Sequence, residues 1–164
     1  MLGTTNTSHT AGAAITEVQG TGSPTTIGTV LFNNTTFSQS VKASSDFTRI
    51  DFTYPGIYNI QFSAQLLNFT TSEDNVTFWF QKNGVDIANS ASVQQVNSKH
   101  GTSPGATILT VNVFEELQGG DYINLKWTSN TGNTVVGTYP AGTSPAHPVS
   151  PAIILTVNFV SAPA

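Results

Sequence analysis

Between Ile57 and Leu66 apolar and polar residues alternate without a break. Tyr58, Ile60, Phe62, Ala64 and Leu66 fall on one side, and Asn59, Gln61, Ser63 and Gln65 on the other. A period of two predicts a strand with one buried face and fits no helix of 3.6 residues per turn. Asn75 to Lys82 repeats the pattern, with Val76, Phe78 and Phe80 inward and Trp79 outward. Asn83-Gly84 then predicts a hairpin turn, because both central positions of a type I′ turn need a positive φ. Val85 to Val96 is expected to return as the partner strand. Later runs read the same way: Pro104 to Phe114, Tyr122 to Thr128, Thr134 to Tyr139 and Ala152 to Val160. In the last, Ile153, Leu155, Val157 and Phe159 share a face.

The turns between these runs are chemically explicit. Tyr54-Pro55-Gly56 combines a proline that presets the backbone with a glycine that reaches positive φ. Gly119-Gly120-Asp121 and Asn130 to Asn133 mark two further reversals, and a loop rich in Pro, Gly, Ser and Ala spans Pro140 to Pro151. Upstream, Thr29 to Phe32, Thr35 to Lys42 and Phe47 to Thr53 read as shorter strands, the last with Phe47, Ile50 and Phe52. The total is roughly nine or ten strands with no helix, the number expected of a β-sandwich or jelly roll. Residues 1–24 stand apart: rich in Thr, Gly, Ser and Ala, they offer a core only Ile15 and Val18. They read as an extended arm with at most one short strand. The arm is either a loose terminus or a segment that orders on a partner by pairing along a sheet edge, with Ile15 and Val18 as its contacts. The rest, 25–164, reads as one domain.

Charge narrows the function. Only 9% of the 164 residues are charged, and the net charge is −4. The five basic residues, Lys42, Arg49, Lys82, Lys99 and Lys126, are scattered, which argues against nucleic-acid binding. A surface made of neutral polar groups suits packing against other protein better than capture of a charged ligand. The chain has no cysteine, hence no disulfide framework and no thiolate metal site. The first twenty residues lack the basic and apolar regions of a secretory signal, and no stretch reaches 18 apolar residues.

No catalytic constellation emerges. There is no Gly-x-Ser-x-Gly elbow. Glu115 and Glu116 are neighbours on a strand and face opposite ways, unlike the two acids that flank a glycosidic bond. His9, His100 and His147 are far apart in loop-like stretches and read as surface residues rather than metal ligands. Glu73-Asp74-Asn75 could cluster at a loop tip around calcium but lacks the spacing of a calcium loop. Asn34, Asn68 and Asn75 each open a glycosylation pattern, which a chain rich in Asn and Thr produces by chance. No enzyme activity, cofactor or metal is expected.

Four phrases recur in a familiar order: Pro55-Gly56-Ile57-Tyr58, Lys82-Asn83-Gly84, Leu117-Gln118-Gly119-Gly120-Asp121, and the apolar run Pro151 to Val160. In this the chain, from Thr29 to its end, resembles the globular heads of complement and tumour-necrosis-factor-like proteins. QKNGVDIANSASVQQV followed by GGDYINLKWTS more closely resembles small jelly-roll domains of bacteriophage capsids and tail fibres. The resemblance implies an all-β jelly-roll sandwich with an extended N-terminal arm, a homotrimer, and a place in a virion. Lacking a collagen-like repeat and a signal peptide, the chain departs from the animal family. With its own Met1 and no shaft, it is expected to be a capsid decoration (cement) protein on the capsid surface. Its expected partners are itself and the major capsid protein, with no nucleic acid and no membrane. The alternative is a tail-fibre or receptor-binding tip recognising host-surface carbohydrate through Tyr139, His147 and the 140–151 loop. Trp79, Gln61, Gln65 and Gln81, all outward by alternation, are the candidate subunit interface; a solvated face is the alternative for each.

Overall fold

The computed structural model describes residues 6–11 and 27–163. Ile15 and Val18, the expected capsid contacts of the arm, lie outside them. The described chain is all-β, with two antiparallel sheets and a small separate hairpin. In chain order the strands are β1 (Asn6–Ala11), β2 (Gly28–Thr29), β3 (Asn34–Phe37), β4 (Val41–Ala43), β5 (Ile50–Phe52), β6 (Gly56–Asn68), β7 (Asp74–Lys82) and β8 (Val85–Asp86). They continue with β9 (Ser92–Val96), β10 (Gly105–Leu117), β11 (Tyr122–Ser129), β12 (Thr134–Val136), β13 (Gly142–Thr143), β14 (Ala146–His147) and β15 (Ile153–Ser161).

The first sheet runs β10-β6-β15-β1-β3, with β12 beside the end of β6. The second runs β4-β5-β11-β7-β8, with β2 beside β11 and β9 beside β7. Part of the 1–24 segment therefore belongs to the first sheet: β1 pairs with β15 from Asn6 opposite Asn158 to Ala11 opposite Ile153. Alternation drives the packing. Tyr58, Ile60, Phe62, Ala64 and Leu66 of β6 are buried, and they share one core with Val76, Phe78 and Phe80 of β7 and Ile123, Leu125 and Trp127 of β11. Phe62 bridges the two sheets, its ring 5.4 Å from Phe78 and 5.6 Å from Phe80. Each such side chain stabilises the fold by roughly 1.5–3 kcal/mol through burial. Gly28 lies opposite Trp127 on the neighbouring strand, where a Cβ would sit 2.6 Å from the indole nitrogen, so only glycine lets that ring lie flat.

The structure differs from the sequence reading in several places. Gly56 has no positive φ but opens β6, the strands expected over 29–32 and 134–139 shorten to Gly28–Thr29 and Thr134–Val136, and the 140–151 loop holds the β13-β14 hairpin. Phe47 is not a strand residue: it has φ 62 and is 44% exposed. Asp46 is the cause. Its Oδ1 accepts hydrogen bonds from Ser44 Oγ (2.5 Å), Thr48 Oγ1 (2.9 Å) and the Thr48 amide (3.2 Å), which closes a turn and delays β5 to Ile50. The expected strand over 35–42 is split, because Ser40 takes a positive φ between β3 and β4. The return strand over 85–96 is also broken. Gln81 faces Asp86, yet Phe78 faces Ser92, so three extra residues loop out between β8 and β9. Ser90 fills the gap: its Oγ accepts from the Phe80 amide at 3.0 Å and donates to Ile87 O at 2.8 Å.

Candidate functional surfaces

The two sheets turn different chemistry outward. Every charged residue in the strands of the first sheet is on β10, as Glu115 and Glu116. Across β10, β6 and β15 the outward positions fall into rows: Phe114, Asn59 and Asn158; Asn112, Gln61 and Thr156; Thr110, Ser63 and Ile154; Ile108 and Gln65. Ile108 is 59% exposed and Phe114 63%. Asn59 Nδ2 donates to Asn112 Oδ1 at 2.7 Å, so the amides of this face bind each other. Among the described residues β10 pairs only with β6 and forms a thirteen-residue edge. Natural edge strands are usually kept short or studded with charge to prevent pairing with other chains; here charge appears only at one end.

The outer face of the second sheet is charged and cross-linked. Lys42 lies opposite Asp51, and Arg49 Nε meets Asp51 Oδ1 at 2.8 Å. The Arg49 guanidinium stacks 4.7 Å from the centre of the Tyr122 ring. Lys126 lies opposite Trp79 and donates to Thr29 Oγ1 at 2.6 Å. Trp79 Nε1 and Gln81 Nε2 both donate to the same oxygen, Asp86 Oδ1, at 2.7 and 2.8 Å. These bonds, from Gln81 first and Trp79 second, hold the exposed Asp86 carboxyl below its ordinary value.

At one end the two sheets are laced together. Lys82 Nζ donates to Glu116 O at 2.6 Å and lies 3.4 Å from Glu115 Oε1 and 3.7 Å from Asp121 Oδ2. Asn83, in the hairpin turn with φ 51, donates to Asp121 Oδ1 at 2.7 Å and accepts from the Tyr122 amide at 3.0 Å. Burial pushes Asp121 upward, but hydrogen bonds from the Gln118 amide and Asn83, with the Lys82 charge, outweigh it and leave its carboxyl below the usual range. Beside this lacing lies an open cleft of about 410 Å³, lined by Lys82, Asn83, Val85, Asp86, Ile87, Ala88 and Glu115.

The sequence reading grouped Trp79, Gln61, Gln65 and Gln81 as one contact; the structure divides them. Gln61 and Gln65 are on the outer face of the first sheet, in rows without charge, while Trp79 and Gln81 are on the charged face across the core. Alternation identified each as outward, but β6 and β7 belong to opposite sheets. The Glu73-Asp74-Asn75 cluster is also dispersed. Glu73 accepts from Gln95 Nε2 at 2.6 Å, and Asp74 is buried. Ser129 Oγ (2.5 Å), the Thr131 amide (3.0 Å) and the Thr134 amide (3.1 Å) all donate to Asp74, fixing the turn between β11 and β12 to β7. Burial raises the Asp74 pKa, but the bonds from Ser129, Thr134 and Thr131 prevail and set it below the ordinary value. Asn68 is occupied likewise: buried, it donates to Ser72 O at 2.7 Å and accepts from the Thr70 amide at 2.9 Å. His100 is exposed beside its bridge partner Ser103; His147 is exposed on β14, its Nδ1 2.9 Å from Pro148 O, and Tyr139 is half-buried. Among the described residues no three His, Cys, Asp or Glu side chains converge as metal ligands. What the sequence reading missed is the segregation of charge by sheet. The signal was present in the absence of Lys, Arg and Asp from the 57–66, 104–114 and 152–160 runs.

Neither the models of known protein families nor the curated proteins contain a match to this sequence.

Proposed function

We propose that the chain is a structural protein of a bacteriophage virion. In this reading it is a jelly-roll homotrimer that decorates and cements the capsid and has no catalytic role. The observation that carries the reading is the outer face of the β10-β6-β15 sheet, whose rows from Ile108 to Phe114 carry no charge and meet only Glu116 at one end, with Ile108 and Phe114 exposed along an open thirteen-residue edge. The buried centres of protein interfaces are depleted in charge and enriched in aromatic and apolar groups. A second copy of the chain fits such a face, because amide and hydroxyl side chains can pair across it without stripping water from a charge.

Strand order supports the jelly-roll form. Taking β1, β5, β6, β7, β9, β10, β11 and β15 as eight principal strands, first pairs with eighth, second with seventh, third with sixth and fourth with fifth. That nesting is what a long antiparallel ribbon produces when it is wrapped into two sheets. The place on a virion follows from the resemblance to phage jelly-roll domains. A trimer bound where shell subunits meet would stabilise the assembled head by mass action.

Light scattering on the purified protein tests the association, with a mass of three times 17.3 kDa expected. Sedimentation with heads of the encoding virus tests the location: the protein should pellet with heads and raise their resistance to heat. A monomeric mass together with no retention on heads would overturn the proposal.

A further inference from the structure

We propose that the outer face of the second sheet carries a binding site for a neutral sugar, built on Trp79, Asp86 and Gln81. This assignment does not depend on the capsid role proposed above. Trp79 is half-buried and outward on β7, away from the core that Phe78 and Phe80 fill. An outward indole has no packing duty in the sandwich, yet this one is held in place. Its Nε1 donates to Asp86 Oδ1 at 2.7 Å, and Gln81 Nε2 reaches the same oxygen at 2.8 Å. Asp86 is fully on the surface, and among the described residues no hydrogen bond is made to its Oδ2.

The chemistry fits a polyhydroxylated ring. A fixed aromatic plane offers its negative face to the C–H groups of a pyranose. A carboxylate oxygen without a partner accepts a hydroxyl, and a charge-assisted bond of this kind is roughly twice as strong as a neutral one. The Gln81 carbonyl oxygen and the Lys126 ammonium, opposite Trp79 on β11, supply an acceptor and a donor at the rim. Val93, 67% exposed on β9 and opposite Thr77, extends the apolar side one row further. A charged ligand fits less well, because Asp86 and Lys126 present opposite signs at the same spot.

The two tryptophans make the site readable. Trp127 is fully buried in the core, so its indole N–H signal in ¹⁵N NMR serves as an internal control. The intact protein is titrated with glucose, galactose, mannose and N-acetylglucosamine, each to about 100 mM, and separately with host cell-envelope polysaccharide. The Trp79 signal should move saturably with at least one probe, with half-saturation at roughly 1–10 mM for a monosaccharide, while Trp127 stays still. Saturation by a free monosaccharide identifies a single-residue site; movement with the polysaccharide alone identifies an extended chain as the ligand. Asp86→Asn, exposed and isosteric, should weaken binding about tenfold or more, because the charge-assisted bond is lost. Asp51→Asn on the same face should leave binding unchanged. A Trp79 signal that is stationary with every probe overturns the site, and so does an Asp86→Asn protein that binds like wild type. Retention of the same variant on heads should be unaltered; a wild-type protein that binds sugar but is not retained on heads would count against the capsid role alone.

Discussion

The two outer faces of this sandwich are written in the same alternating code and finish chemically opposite. On β6 the outward residues are Asn59, Gln61, Ser63 and Gln65; on β7 they are Asn75, Thr77, Trp79 and Gln81. The neighbours decide the difference. β6 is flanked by β10 and β15, which bring Ile108, Phe114 and Ile154, whereas β7 is flanked by β11 and β8, which bring Lys126 and Asp86. A period of two says only which residues leave the core. What an outward residue can do is set by the strand beside it, and that is a property of topology.

The widest test of the comparison removes what both faces share. Phe62 packs against Phe78 and Phe80 across the core, so Phe62→Ala should destabilise the protein by about 3–5 kcal/mol and abolish self-association and sugar binding together. Chemical denaturation and the two binding assays check this. Survival of one function in an unfolded background would mean that its face does not need the sandwich.

Asp74→Ala comes next. It leaves the donors of Ser129, Thr131 and Thr134 without their acceptor and should cost about 2–3 kcal/mol. The same carboxylate gives the fold a pH signature. Asp74 titrates below 3.8 when folded, so its contribution is fully present above the unfolded value and is lost as pH falls through the lower, folded one. Asp46, held at about 2 chiefly by the Ser44 hydroxyl, acts with the same sign. The thermal midpoint should therefore drop with pH below about 4, and drop less in Asp74→Ala.

Phe114→Lys should change stability by no more than about 0.5 kcal/mol, because the ring is mostly exposed, yet weaken self-association about tenfold or more. Sedimentation equilibrium reads the association and denaturation reads the stability. Equal effects on both would remove the distinction between a packing face and a contact face.

Much of this was legible in the chain. The long strands β6, β7, β11 and β15 are clear because their alternation is strict and one face is buried. The Asn83-Gly84 turn is clear because its backbone demands those residues. The breaks at Phe47 and Ser90 were not, since each depends on a side-chain oxygen, of Asp46 or of Ser90 itself, replacing a backbone partner. A hydrophobic pattern carries no trace of such a bond. The candidate interface was half legible: outwardness could be read residue by residue, but the sheet to which each strand belongs is fixed by pairings up to the full length of the domain.

The smallest expected effect bears most directly on what the charged face is for. Arg49 and Asp51 are joined at 2.8 Å, but their side chains are 44% and 43% exposed, and Arg49 also covers Tyr122. An exposed ion pair contributes about 0.2–1 kcal/mol and an exposed cation–π contact about the same. Arg49→Ala should thus lower stability by roughly 1 kcal/mol or less, and a double-mutant cycle with Asp51→Ala should assign less than half of that to the pair in about 1 M salt, where the screening length is near 3 Å. If the loss is this small, the charges of the second sheet do little to hold the sandwich together, and their arrangement around Trp79 is free to serve a ligand. A loss of several kcal/mol would make the charged face a structural brace, and the contrast between the faces would then reflect how the two sheets are held rather than what each one binds.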